Sequence, residues 1–295
     1  MNYIILCISM CACLVGNILR KFSADRFENK AVMYHIYNCS ISVVAVAGLL
    51  ILGGVPQVSA FTLWLGLVFG LVTAGQSIVL LNAYNKGPMS YTQVLVTLSS
   101  VIPALSGYFI WDESISVVQI MGIVFMIVSF VFFADFSGKE KGASVAWFIY
   151  SLAAFFLTGI IGVLQKCHQT TIYKEELDGF LTVAFATSVL YSAAMSGWYV
   201  AKLAHGERGA LKKEFTPSLV VIVVVAGLCV FANNKMNLYL SNAMESAIFF
   251  PTVNAGGLIL ATAADMVLFK QKIQPLKWVG MIVGIIAVVL ICNPF

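Results

Sequence analysis

Apolar runs of about twenty residues follow one another along the chain, separated by short breaks of charge or turn-forming residues. Such runs cover 2–19, 31–54, 59–85, 87–111, 114–134, 142–165, 179–201, 215–234, 246–264 and 278–295. A bilayer's hydrocarbon core takes about 20 residues of helix to cross, so the pattern predicts ten transmembrane helices. The breaks are GGVPQVS near 53–59, NKGP at 85–88, WDES at 111–114, DFSGKEKG at 135–142, YKEELDG at 173–179, HGERGALKKEFTP at 205–217, SNAMES at 241–246 and FKQKIQP at 269–275. In lipid, backbone polar groups are satisfied only within helices or closed barrels, and runs this long are helices. The connections leave no room for a soluble domain. The first run is expected to be a retained span rather than a cleaved leader, because its basic residues follow the apolar stretch.

Composition agrees with this pattern. Of 295 residues, 60% are hydrophobic and 10% charged, against about 25% charged in an ordinary soluble domain. A soluble enzyme, a disordered chain and a nucleic-acid binder are thereby excluded. The seven cysteines, Cys7, Cys11, Cys13, Cys39, Cys167, Cys229 and Cys292, are odd in number and mostly sit in apolar runs. They read as packing residues, not as a disulfide framework or a metal site. The net charge of +4 matters less than its distribution. Fourteen of the 17 basic residues fall on the side holding the connections after spans 1, 3, 5, 7 and 9. Lys166, Lys174 and Lys235 fall on the side of the termini. The positive-inside rule then puts both termini outside a cell (plasma or inner) membrane.

The two halves of the chain resemble each other. LNAYNKGPMSYTQVLVTLSS leading to WDESISVVQIMG is matched by NLYLSNAMESAIFFPTVNAGG leading to FKQKIQPLKWVG. Ser90 aligns with Ser246, Gly122 with Gly280, and Gly16 with Arg20 aligns with Gly162 with Lys166. Each half holds five spans, an odd number, so the second copy is inverted relative to the first. The expected fold is an all-α membrane protein in two inverted five-helix repeats, 1–135 and 144–295, joined by a loop at 136–143. Inverted repeats place a site near the midplane and give alternating access by rocking.

The turn Asn82-Ala83-Tyr84-Asn85-Lys86-Gly87-Pro88, the segment Asp112-Glu113-Ser114-Ile115-Ser116 and the run Phe249-Phe250-Pro251-Thr252-Val253-Asn254-Ala255-Gly256-Gly257 occur in the order and spacing of a known family. Across essentially the whole chain the sequence resembles the EamA-like branch of the drug/metabolite transporter superfamily. The resemblance implies small-molecule transport, often efflux, without an ATPase domain. Two departures stand out. Many members carry Glu where this chain has Gln271, and members typically keep their termini in the cytoplasm.

Polar residues inside spans need a partner or a cavity. Gln93, Thr97 and Ser100 recur at i, i+4 and i+7 on span 4, one helix face. Thr252 and Asn254 on span 9 are their counterparts, next to a kink at Pro251. Asn17, Gln76, Tyr91, Asn233 and Asn234 complete a candidate substrate-binding set on spans 1, 3, 4, 8 and 9. Amides both donate and accept, which suits a neutral or zwitterionic solute; the alternative is hydrogen bonding between helices. Lys235 either meets an anionic substrate group, snorkels to the interface or pairs with Glu245. Asp265 is the coupling candidate, a carboxylate that could load a proton, or else a solvated partner of Lys270 or Lys272. His35 is expected at the interface, and Trp64, Trp111, Trp147 and Trp278 in the aromatic belt. Gly66-x-x-x-Gly70 and Gly280-x-x-x-Gly284 predict close helix contacts, within the bundle rather than in a dimer.

The expected function is a secondary-active transporter, an exporter or exchanger of a small polar organic metabolite or drug. No phosphate-binding loop of the G-x-x-x-x-G-K-[ST] type occurs. No cofactor or metal is expected. The partners are membrane lipids, a small-molecule substrate and a coupling ion such as a proton, with the chain a monomer or homodimer. A flippase for a lipid-linked carrier is the alternative. A membrane-embedded lipid-modifying enzyme fits less well, because the three histidines are scattered and metal-ligand spacing is absent.

Overall fold

The computed structural model describes residues 2–27, 30–99, 101–111, 116–133, 144–203, 214–243, 260–270 and 275–291, with Arg208, Leu211, Val253 and Gly257 besides. Ten helices are described: α1 Asn2–Arg26, α2 Lys30–Gly53, α3 Ala60–Lys86, α4 Met89–Leu98, α5 Val101–Trp111, α6 Val117–Phe133, α7 Val145–Gln169, α8 Leu177–Lys202, α9 Pro217–Ala243 and α10 Pro275–Ile291. A further helical stretch runs over 260–267. No strand occurs among the described residues. Six helices (α1, α2, α3, α7, α8 and α9) are long and apolar enough to cross a membrane. They also turn large apolar side chains outward, among them Ile4, Ile8, Leu63, Trp64, Leu190 and Val221. The molecule is an all-α protein built for a lipid surrounding.

Most helices coincide with the expected spans, and α1, α7, α8 and α9 run further. α1 continues seven residues past the expected end at 19, and α9 nine past 234. The expected span over 87–111 is instead two helices, α4 and α5, separated at Ser99. Pro103 accounts for the break. It has no N–H to donate to the carbonyl of residue 99, and its ring clashes with that carbonyl in a continuous helix. The chain turns tightly there, with Ile102 N donating to Ser99 O at 3.0 Å and Ser99 Oγ capping Val96 O at 2.6 Å. The inter-repeat loop at 136–143 lies outside the described residues.

The packing crosses between the two halves of the chain. α1 packs on α9, α3 on α7 and α8, α2 on α8 and α9, and α6 on α10. Glycine permits the closest of these approaches. A Cβ on Gly70 would lie 2.3 Å from Ala184 O, and one on Gly66 2.9 Å from Val183, so α3 and α8 meet nearly backbone to backbone. Gly227 on α9 is as tight against α2, 2.5 Å from Val44 Cβ. Gly284 faces Ser129, whose Oγ donates to Gly280 O at 2.9 Å, which seats α10 on α6. Both small-residue motifs therefore serve contacts within the bundle. With no water to expel, such contacts hold by van der Waals packing and interhelical hydrogen bonds. Asn38 on α2 supplies two of these bonds, donating to Ser188 at 3.1 Å and Ser192 at 2.8 Å on α8.

Trp147 is not a belt residue. It is fully buried and donates its indole N–H to Thr92 Oγ1 at 2.9 Å, tying α7 to α4. Trp64 keeps the expected exposure. His35 is also buried, stacked on Tyr199 with ring centroids 5.5 Å apart. Because α2 begins at Lys30, His35 lies more than a turn inside the bundle, where α8 covers it.

Candidate functional site

Cys13, Asn17 and Arg20 recur at i, i+4 and i+7 on α1 and form one stripe. Asn17 Nδ2 reaches Cys13 Sγ at 3.6 Å. The Arg20 Nε is buried, and the guanidinium acts electrostatically on the Cys13 thiol and on the hydroxyls of Tyr37 and Tyr84. Cys13 lies two turns back toward the start of α1. Helical side chains lean toward the preceding turn, which is the side of Arg20 on which Asn17 and Cys13 lie. Among the described residues the guanidinium has no hydrogen-bond or ion-pair partner. The Tyr84 hydroxyl, fully buried, donates to Gln93 Oε1 at 3.4 Å. The buried Asp265 carboxylate acts on that same hydroxyl. The junction of α1, α2, α3 and α4 with the 260–267 stretch thus gathers Arg20, Tyr37, Tyr84, Gln93 and Asp265.

Lys21, next to Arg20, has a different task. Its ammonium donates to the carbonyls of Tyr84 and Gly87 at the end of α3. The last carbonyls of a helix lack intrahelical partners and attract a cation. Asp25 lies 3.5 Å from the same ammonium. Lys30 donates to Asn85 at 2.7 Å, and Asn85 in turn donates to Ala24 O at 3.0 Å. These bonds form a polar seam between α1, the start of α2 and the end of α3.

The other expected site residues separate into groups. Gln76 donates to Thr158 at 3.2 Å, joining α3 to α7. Asn233 donates to Ser9 O at 3.1 Å and Ser9 Oγ at 3.0 Å, and Ser9 donates to Asn237 at 2.7 Å, joining α1 to α9. Asn234 turns back on its own helix, to Val230 O at 2.8 Å. Lys235 makes a two-pronged ion pair with Asp178, 2.8 and 2.6 Å, half-exposed at the start of α8. Its partner is therefore Asp178, on the next helix over, while Glu245 lies outside the described residues. Tyr91 is buried with its ring edge-on to Trp147, 6.2 Å between centroids, which leaves no face for a substrate ring. Thr97 is buried on α4 with Gln93. Ser100, Thr252 and Asn254 lie outside the described residues. Asp265 is fully buried, not solvated as its place near a span end suggested. Arg20 was missed because span 1 was ended one residue before it. The pairing of Gly16 and Arg20 with Gly162 and Lys166 was the signal that could have found it.

At the opposite end of the bundle, Ser59 caps α3 by accepting from Thr62 N at 3.2 Å. Glu176 Oε2 accepts from Ser59 N at 2.9 Å and Ser59 Oγ at 2.8 Å. Hydrogen bonds from Thr62 and Ser59 hold the Glu176 carboxyl below the usual carboxylate range. His168, at the end of α7, meets Thr62 at 3.3 Å and stacks on Phe180. This cluster ties the starts of α3 and α8 to the end of α7. Among the described residues no group of His, Cys, Asp and Glu could hold a metal ion.

No family profile matches the chain. It is similar to an uncharacterized protein of Haemophilus influenzae, 23% identical over 228 residues, 75% of this chain and 72% of that one. A protein of known crystal structure matches with a TM-score of 0.62 over 97% of this chain and 96% of its own. At 13% identity that likeness is one of fold alone.

Proposed function

We propose that the protein is a secondary-active transporter of a small polar organic solute, working by alternating access between two inverted five-helix repeats, as in the drug/metabolite transporters it resembles. The observation that carries this reading is the crossed packing of the halves. Exchanging the first five spans with the last five turns the α1–α9 contact into α7–α3, and the α3–α8 contact into α9–α2. It leaves α2–α8 and α6–α10 unchanged. Residues follow the same exchange. Gly70 and Gln76 on α3 and Gly227 and Asn233 on α9 have the same spacing, each pair a tight glycine and an amide bonded to the other half. A two-fold axis in the membrane plane is the geometry on which alternating access rests.

Two contacts break the exchange: α2–α3 has no α8–α9 counterpart of similar extent among the described residues, and the larger one is α1–α3. α1 packs against α3 along the Lys21 seam, and no contact of similar extent joins α7 to α9 among the described residues. A rocking pair of repeats is expected to be asymmetric in this way, closed at one end in each state. The broken α4–α5 helix beside Gln93 adds support, since interrupted helices expose backbone groups at transporter sites.

The test is counterflow in proteoliposomes across amino acids, nucleosides, sugars, amines and organic anions. Exchange of at least one solute without ATP is expected. Protein that stays inert across the panel, yet scrambles a lipid-linked carrier, would replace this reading with the flippase.

A further inference from the structure

We propose that Arg20 is the anion-binding residue of the substrate site, and that the substrate carries a carboxylate which the guanidinium holds inside the bundle. The proposal rests on the transporter reading and specifies its substrate class.

Three observations converge. The first is the energetic position of the side chain. A cation inside a membrane protein pairs with something or faces a cavity. Arg20 has no carboxylate or carbonyl within bonding reach among the described residues, and its Nε is sealed from the surroundings. It shares one stripe of α1 with Cys13 and Asn17, and the Cys13 thiol lies within its electrostatic range. The second is the company it keeps. The Tyr37 and Tyr84 hydroxyls lie within its electrostatic range, the Tyr84 hydroxyl is bonded to Gln93, and Asn17 shares its stripe on α1; such hydroxyls and amides can complete the hydrogen bonding of a bound carboxylate. The third is the neighbouring Lys21. That ammonium is committed to the Tyr84 and Gly87 carbonyls and to Asp25, so of these two neighbouring cations on α1 Arg20 is left for the ligand. One guanidinium matches one carboxylate, charge for charge and fork for fork. A phosphate dianion calls for a second cation, and Lys21 is already committed elsewhere.

The experiment uses matched pairs of probes, benzoate with benzamide and lactate with lactamide, plus inorganic phosphate. Each is tested for protection against thermal unfolding of the purified chain and for counterflow in proteoliposomes. Carboxylates are expected to raise the melting temperature of the wild-type chain where their amides do not. Arg20→Gln is expected to weaken that protection on the order of 10- to 100-fold in apparent affinity. Arg20→Lys keeps the charge but loses the fork, so it should fold and fall between the two. Three results would overturn the proposal: no carboxylate protects the wild type, Arg20→Gln keeps the protection, or phosphate protects as well as the carboxylates. The two readings fail separately. A carboxylate that binds through Arg20 but never exchanges removes the transporter and keeps the site. A neutral solute exchanged equally by Arg20→Gln does the reverse.

Discussion

Glu176 shows how one side chain can carry a pH dependence. Its carboxylate accepts from the backbone and hydroxyl of Ser59 at the cap of α3 and is held below the usual range by these bonds and by Thr62. A carboxyl depressed in the folded state stabilises that state above its unfolded pKa, about 4.3. The contribution is lost as pH falls through the lower folded value. Glu176→Gln should therefore melt below the wild type from neutral pH down to about 5, with the gap closing under about pH 4. A gap that persists unchanged at pH 3 would show that the carboxylate's charge is not what matters. Asn38 makes a second residue-scale case. It is buried and bonded to two serines of α8. Interhelical bonds of this kind average about 0.6 kcal/mol in membrane proteins, so Asn38→Ala should cost about 1 kcal/mol. Asn234→Ala, which loses only a bond within α9, should cost less. Equal melting temperatures for the two variants would contradict this. Sequence reading singled out Asn233 and Asn234 but not their partners, and passed over Asn38. Whether Asn233 reaches Ser9 or a solute depends on how α1 meets α9, and local pattern carries nothing about that.

At the scale of elements, the sequence made the helices legible because lipid admits few alternatives. Turn chemistry and charge marked most ends to within a few residues. The α4–α5 break was missed for a definite reason. Its apolar character is continuous from Met89 to Trp111, so only Pro103 signals it, and a proline in a membrane helix can kink without breaking. The glycine motifs were read correctly as close contacts, though not which helix each would meet. Gly70 and Gly75 separate the contact from the helix itself. Both lie on α3, but a Cβ on Gly70 would strike Ala184 O at 2.3 Å, whereas one on Gly75 meets nothing within 4 Å. Gly70→Ala should reduce folded yield and melting temperature by forcing α3 from α8. Gly75→Ala should be neutral or slightly stabilising, since Ala gains up to about 1 kcal/mol over Gly in a helix. Similar melting temperatures for the two would mean that the α3–α8 approach is looser than described.

For the whole molecule, contacts fix which connections share an end. Arg26 bonds Thr216 and Ser218, and Lys30 bonds Asn85, so the connections after α1, α3 and α8 lie together. Ser59 meets Glu176, and Lys235 meets Asp178, at the other end. This grouping agrees with the sorting of basic residues, and the sorting survives one revision. Arg20 and Lys21 act inside the bundle, and with both set aside the connections after odd-numbered spans still hold twelve basic residues against three. The positive-inside rule then predicts cytoplasmic odd-numbered connections and external termini. Alkaline phosphatase fused to Phe295 should be active, and a fluorescent protein there dark; fusions within 136–143 should do the opposite. With that result, the Lys21 seam closes the cytoplasmic end, and the stripe of Cys13, Asn17 and Arg20, running from the seam toward the start of α1, faces a ligand arriving from outside. The reverse result would turn the molecule over without moving a side chain. The seam would then close the outer end, and Arg20 would await a cytoplasmic solute, the arrangement an exporter needs.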